Sequence, residues 1–495
     1  MTEPVPQRAT IVVPSTAEYD SRTYRLASSL AARGHTVTVL GRWRPGLERV
    51  ERHEAGYDII RVPVSARDGV PSRLQLGHLR EGLRGWLHRG GSSRSGVRTA
   101  RPATARATAG TRGAVPPAPA PSDADVSMGE DEAEAEPFEG EPRMGILEAV
   151  LPAAAVGPIR RIIRPVRRLY GSTMNRLSIP LTIRAHRDAT LKVAPWADLY
   201  HGMAYMAIPT ALELGKRDGA PVVYDARDIY VDAANIARMP LVMRKALGRW
   251  ERTWARRADR VFTVNRHYAQ VMARRWRVRE PLIVMNCSYR TPPTERPRLF
   301  HDALGLPAGE RVVVYQGGFS HDRGIEQLIE AIRSVPGATL VLLGYGKLQR
   351  ELEAIAGDPA TEGRIRILPA VAPAELLGWI ASADVVAMPI QPTTLNHRLT
   401  TPNKLFEAMA AGVPVVASDL PGMAAIVRES GCGVLVDPTD PDAIAASLRE
   451  VLATREAEMA AWRARCSAAA METYNWERQM QLVIDEYGRL TGKPW

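Results

Sequence analysis

The sequence is poor in cysteine. Cys287, Cys432 and Cys466 are odd in number, far apart, and match no metal-ligand spacing. That excludes a disulfide framework and makes a reducing compartment the simple expectation. Long hydrophobic runs are also missing. None reaches the roughly 18 apolar residues of a membrane span, and the nearest, residues 144–159, contains Glu148, Pro152 and Pro158. The opening MTEPVPQRAT lacks the basic and apolar regions of a signal peptide, so a cytoplasmic protein is expected, with membrane contact only at its surface. No glycine occurs between Ile11 and Ala32. This removes the G-x-G-x-x-G turn that a dinucleotide-binding protein places after its first strand.

What is present is a chain of 495 residues, long enough for two or three domains. The 65 basic and 54 acidic groups leave a formal charge of +11. Such a balance suits nucleic acid, anionic membranes or phosphorylated substrates without choosing among them. No nucleic-acid-binding motif accompanies the charge, so no nucleic-acid partner is expected.

Strands and helices alternate. ATIVV, the loop PSTAEYDSR, a helix through Ala32 and the strand TVTVL read as the β-α-β opening of a doubly wound domain. Residues from about 90 to 140 are Ala, Arg, Pro, Ser, Thr and Gly and then turn acidic, a composition that reads as a disordered insertion. PIRRIIRPVRRLYGS (158–172) interleaves Arg with Ile, Val and Leu. It can lie on an anionic bilayer or cover the core with Arg stems as an ordinary surface helix. The Pro-rich RTPPTERPRLF reads as an interdomain linker. Then RVVVYQGGFSHDRGIEQLIEAI gives strand, Gly-rich loop and helix, with Gly317 and Gly318 allowing close backbone approach. Gly344-Tyr345-Gly346 follows the next strand as a second such turn, and RIRILPAV is a strand ending at Val371.

The most informative stretch is TTPNKLFEAMAAGVPVVASDLPG, Thr400 to Gly422. Thr401 suits an N-cap and Pro402 the first helical position. Leu405, Ala408, Met409 and Gly412 share one face. Gly412 and Pro414 end the helix, and Val415, Val416 and Ala417 suit a buried parallel strand. The N–H groups of Asn403, Lys404 and Leu405 would be left without helical partners and would favour an anion. The stretch reads either as a phosphate seat with Glu407 a turn further on, or as a capped core helix with Glu407 on its solvated side.

This stretch closely resembles the signature of the retaining glycosyltransferases of family four. The resemblance implies an α/β chain with two Rossmann-like domains facing a cleft, the GT-B fold, here with the insertion in the N-terminal domain. It implies residues 1–290 as an acceptor-side domain, 291–300 as linker, 301–475 as a donor-binding domain and 476–495 as a terminal helix crossing back. The reaction would move a sugar from a UDP- or GDP-sugar to a glycan, lipid-linked or small-molecule acceptor. Neither cofactor nor metal would be needed, so Asp123-Ala124-Asp125, superficially a metal-binding D-x-D, is discounted.

Carried over residue by residue, Glu407 would bind the ribose, and Arg323, Lys404 and the helix start at Thr401, Asn403 and Leu405 would hold the diphosphate. Gly317, Gly318, Gly344, Tyr345, Gly346 and Val371 would line the donor site. Asp20, Arg22, His201 and Arg227 would lie on the acceptor side. Read locally, Asp20 and Arg22 are an N-cap and an exposed Arg, and His201 is equally a core histidine. The sequence departs from the family pattern at Met203, where relatives carry a His, and at Arg227, which with Asp228 replaces His-Glu. It departs again at Gly318, where a cation is usual, and at Leu399, where a sugar-binding Glu is usual. Sugar recognition would then fall to Asn396, His397 or backbone. A non-catalytic scaffold of the same fold, or a sugar-nucleotide epimerase or phosphorylase, remains an alternative reading. Localisation is expected to be cytoplasmic, with 158–172 as the peripheral contact at the inner face of the membrane.

Overall fold

The computed structural model describes residues 6–18, 20–65, 179–291 and 296–495. The insertion at 90–140, the Asp123–Asp125 pair and the basic segment 158–172 lie outside them. Two sheets organise the described chain. The first comprises β1 (Arg8–Val12), β2 (Thr36–Trp43), β3 (Val50–Arg52), β4 (Asp58–Pro63), β5 (Leu199–Met203), β6 (Val222–Asp225), β7 (Arg260–Thr263) and β8 (Leu282–Ile283). Their spatial order is β3-β4-β2-β1-β5-β6-β7-β8, parallel except for the short β3–β4 pair. The second comprises β9 (Arg311–Gly318), β10 (Ala338–Tyr345), β11 (Ile365–Leu368), β12 (Val385–Met388), β13 (Val415–Ser418) and β14 (Gly433–Val436), in the order β11-β10-β9-β12-β13-β14 and all parallel. The inner strands, such as β10, β12 and β13, are near-continuous apolar runs because they are buried on both faces.

Among the parallel strands, each order reverses direction at one place. In the first sheet β1 lies between β2 and β5, and in the second β9 lies between β10 and β12. Ligands of open parallel sheets bind beyond the strand ends at such switch points. The loop after β1 leads to Asp20, and the loop after β9 carries Gly317, Gly318 and Arg323.

Of the helices, α1 (Ser21–Ala32), α2 (Ala204–Asp218), α3 (Leu241–Arg257) and α4 (Arg266–Trp276) cover the first sheet. On the second, α5 (Ile325–Ile332), α6 (Leu395–Leu399), α7 (Asn403–Ala410), α8 (Pro421–Ser430) and α9 (Glu456–Glu472) follow in turn. The last helix, α10 (Trp476–Thr491), returns to the first sheet. Its Trp476, Met480, Val483 and Tyr487 join Ile11, Leu26, Val39 and Phe262 in one core. Each such side chain contributes about 1.5–3 kcal/mol through burial. The Trp476 indole donates to Ser29 Oγ at 2.8 Å, which fixes the helix against α1. Among the described residues, no helix is long and apolar enough to cross a membrane.

One strand end differs from the sequence expectation, and a second strand is short. β11 stops at Leu368, and Val371 lies beyond it in a loop, half-buried against the second core. β8 is confined to Leu282–Ile283, so Asn286 sits in a loop.

Candidate active site

α7 is built as the residue spacing requires. Leu405, Phe406 and Met409 are buried in the second core, and the helix ends where Gly412 takes the left-handed conformation, φ +67°. Its start departs from expectation. Thr401 does not cap the helix; Pro402 occupies that position without a side-chain bond. Thr401 Oγ1 instead accepts from Asn265 Nδ2 at 3.0 Å, because the 399–402 loop is clamped between α4 and α8. A Cβ on Gly422 would stand 2.2 Å from the Thr400 carbonyl oxygen, so α8 approaches as closely as glycine permits. The Leu405 N–H already donates to Pro402 O at 3.1 Å and its side chain is buried, which removes Leu405 as a ligand contact. Asn403 and Lys404 remain at the helix start.

Lys404 is buried and reaches the carboxyl end of β9. Its Nζ lies 4.1 Å from the centroid of the Tyr315 ring, and a Cβ on Gly317 would stand 3.5 Å from it. The aromatic face holds the ammonium in place. Gly317 has φ +123°, so a side chain there would be strained as well as crowding the ammonium. Tyr315 also donates its hydroxyl to Gly318 O at 2.9 Å, and Gly318 is exposed at the strand end.

Arg323 is buried in the loop that follows. That loop is pressed onto β12: a Cβ on Gly324 would meet the Pro389 carbonyl oxygen at 2.0 Å. Gly344 and Gly346 serve a similar purpose. They are buried against the backbone of Gly317 and Phe319, where added Cβ atoms would stand at 2.1 and 2.4 Å. Their close approach is to chain rather than to an open pocket, while Tyr345 between them is half-buried.

The acceptor-side residues separate into two groups. Asp20 caps α1 by accepting from Thr23 N–H at 3.0 Å, and its same Oδ1 accepts from Arg227 Nη1 at 2.8 Å. Its Oδ2 is buried with no hydrogen-bond partner among the described residues. Arg22 is neither exposed nor in the cleft. It is 2% exposed and donates from Nε to Asp225 Oδ2 at 2.6 Å and from Nη1 to Val284 O at 2.7 Å. His201 is a core histidine, fully buried, with Nδ1 2.6 Å from the Tyr487 hydroxyl and Nε2 3.2 Å from Asp225 Oδ2. Burial lowers the His201 pKa, against an opposing bond to Asp225. Burial alone would raise Asp225, but the adjacent Arg22 guanidinium and His201 hold it well below the usual carboxylate range.

A pocket between the two sheets is lined by Asp20, Arg227 and Asn286 from the first and by Thr400, Thr401 and Asn403 from the second. It thus brings residues of both halves together, without His201 or Arg22. The sequence reading missed several residues here. Asn286 Nδ2 donates to Asn403 Oδ1 at 2.9 Å, and Arg25 donates to Asn286 Oδ1 at 2.7 Å. Burial lowers the Arg25 pKa, and the Glu407 charge opposes that shift. Gln316, next to Gly317, is 3% exposed and both its amide atoms lack partners among the described residues. A polar side chain beside a Gly-Gly turn was its only sequence signal.

Asn396 is occupied elsewhere. Its Oδ1 accepts from Ile229 N–H at 2.8 Å and its Nδ2 donates to Asp228 Oδ1 at 2.9 Å, both across the cleft. The Leu399 side chain packs onto the first-sheet core. His397 is buried, with Nδ1 2.9 Å from Thr393 Oγ1. Asn396 and Leu399 thus tie the two halves together.

Residues 310–454 match the family model described as glycosyl transferases group 1. That stretch holds all six strands of the second sheet. A D-inositol 3-phosphate glycosyltransferase of Xylanimonas cellulosilytica is 32% identical over 213 residues, covering 41% of this chain and 48% of that protein. The lipopolysaccharide core biosynthesis glycosyltransferase LpsE of Rhizobium meliloti is 28% identical over 194 residues, 38% of this chain and 51% of that one. The chain spans about half the length of the curated relatives it matches. A sucrose-phosphate synthase from Thermosynechococcus elongatus superposes with a TM-score of 0.63 at 18% identity, over 98% of this chain and 99% of that one. Anabaena HepE, in complex with UDP and glucose, gives 0.59 at 14% identity over 98% and 100%. These likenesses establish the fold: two Rossmann-like sheets facing a cleft, the GT-B arrangement.

Proposed function

We propose that the chain is a retaining glycosyltransferase that moves a sugar from a nucleoside diphosphate sugar to a glycan, lipid-linked or small-molecule acceptor. The observation that carries this reading is the Lys404 ammonium, held over the Tyr315 ring at the carboxyl end of β9 beside Gly317. It stands at a switch point and at the start of α7, where a cation and backbone N–H groups converge. Leaving-group charge is the electrostatic problem of the reaction. Lys404, Arg323 and the α7 start would neutralise the departing diphosphate, making the chemistry metal-independent. Glu407 would take the ribose. On the acceptor side, Asp20 Oδ2 offers a buried, unpartnered oxygen to an acceptor hydroxyl, while Arg227 steadies the other oxygen. Closure of the two halves would keep water from the donor.

A second reading, a binding or scaffold protein of the same fold, is favoured by one observation: Asn396 and Leu399 join the halves where relatives read the sugar. Thermal shift against UDP, GDP and their sugars separates the two. Stabilisation by one nucleotide, lost in Lys404→Met and accompanied by a glycosylated product in mass spectra, supports transfer. No shift with any nucleotide overturns it in favour of the scaffold.

A further inference from the structure

A chain of hydrogen bonds crosses from α1 to the start of α7. Arg25 donates from Nη1 to Asn286 Oδ1 at 2.7 Å. Asn286 donates from Nδ2 to Asn403 Oδ1 at 2.9 Å and to Ser21 Oγ at 3.2 Å. Ser21 and Arg25 are one helical turn apart on α1, and Asn286 lies in the loop after β8. Asn403 is the first residue of α7. Three members of the chain therefore come from the first-sheet half and the last from the second.

The direction of this chain is fixed by its first member. A guanidinium carries donors only. The Asn286 atom that faces Arg25 must accept, which leaves the Asn286 amide nitrogen to face Asn403. The Asn403 atom that meets this nitrogen must accept in its turn. What remains is the Asn403 amide nitrogen, which has no hydrogen-bond partner among the described residues. Without the chain either amide could turn over at little cost, because its oxygen and nitrogen ends have the same shape. With the chain in place, Asn403 presents two N–H donors and no acceptor.

The surroundings say what such a donor meets. Asn403 is half-buried and lines the pocket between the two sheets with Asp20, Ser21 and Asn286. Asp20 lines the same pocket at 5% exposure with its Oδ2 unpartnered, so the pocket holds a second buried polar group turned to a ligand. The next residue of α7 is Lys404, whose buried ammonium stands at the carboxyl end of β9. The first turn of α7 contains no acidic residue. An ammonium and a donor-only amide side by side suit an anionic oxygen.

We propose that Arg25 and Asn286 are positioning residues of the transfer reaction, holding the Asn403 amide with its nitrogen toward the diphosphate of the nucleotide sugar. The inference rests on the transferase reading and adds a requirement to it. The donor seat on α7 is finished by the first half, because only the loop after β8 fixes which end of Asn403 the phosphate meets. Turned over, the same amide would set its oxygen against the phosphate and repel it.

The test is calorimetry of UDP and GDP with the full chain and with Asn286→Asp. That variant keeps the shape of the side chain and still accepts from Arg25, but it offers Asn403 no donor, so the Asn403 amide turns over. Whichever nucleotide the unaltered chain binds should bind about tenfold or more weakly, while the melting temperature does not fall. A merely structural role for Asn286 would move both together. Arg25→Met, which releases Asn286, should weaken binding several-fold. Asn403→Ala removes the amide itself, so adding Asn286→Asp to it should cost nothing more. Unchanged affinity in Asn286→Asp or in Arg25→Met overturns the proposal. So does a further loss in the double variant, which would show the new carboxylate repelling nucleotide directly. Nucleotide binding that ignores these variants overturns this inference alone, whereas an unaltered chain that binds neither UDP nor GDP overturns the transferase reading and the inference with it.

Discussion

The Asn396 amide donates to Asp228 Oδ1 at 2.9 Å across the cleft, and the same side chain accepts the Ile229 N–H at 2.8 Å. One residue of the second half thus satisfies two groups of the first, one of them a buried backbone donor. Asn396→Ala leaves that donor unpaired, at a cost of about 1–3 kcal/mol. Urea unfolding should show the loss, and small-angle scattering should show a larger radius as the halves separate. A variant with unchanged stability and radius would remove Asn396 as a tie between them.

Lys404 should matter for nucleotide affinity more than for folding. Lys404→Met keeps an unbranched chain against Tyr315 and removes the charge. A charge-assisted hydrogen bond contributes about 1.5–3 kcal/mol, so UDP or GDP should bind roughly ten- to a hundredfold more weakly by calorimetry. Equal affinity in the variant and the unaltered chain would place the diphosphate elsewhere.

Gln316 gives a prediction of opposite signs. Its amide is buried and unpartnered, so Gln316→Leu should relieve a desolvation cost and stabilise the chain by about 1 kcal/mol. If the amide faces bound nucleotide, the same variant should bind it more weakly. Raised stability with unchanged affinity would leave the amide without a ligand role.

Buried histidines set the acid response. His201 and His186 are fully buried; burial lowers both, His186 to about 3. An imidazole with a native pKa below its unfolded value takes up protons first in the unfolded state. Stability therefore falls as pH drops below about 6.5, by about 1.4 kcal/mol per pH unit for each residue. Asp225 acts lower: its native pKa is depressed, so its contribution is present above the ordinary carboxylate range and lost as pH falls through the native value. Urea midpoints from pH 7 to 5 should decline, and His201→Gln should flatten the slope. An unaltered slope in that variant would contradict the assignment.

The sheets were legible because buried parallel strands announce themselves as apolar runs, and α7 because its apolar spacing and terminal Gly412 are local. Arg22 was misread because its partner Asp225 lies 203 residues away. Gly344 and Gly346 were correctly read as close-approach positions, but glycine marks closeness without saying to what. Here the neighbour is the backbone of Gly317 and Phe319. Asn265, Asn286 and Asn396 carry no periodic signal. Their roles depend on which residue the other half brings opposite them.

The return of α10 to the first sheet has a consequence for synthesis. The core that includes Ile11 is completed by Trp476 and Tyr487, so it cannot close until α10 has been made. While the ribosome adds the intervening residues, Leu26, Val39 and Phe262 await their final partners. The second sheet, whose strands all lie between Arg311 and Val436, can assemble sooner. A chain cut short before Trp476 would therefore leave an apolar seam of the first core open to aggregation.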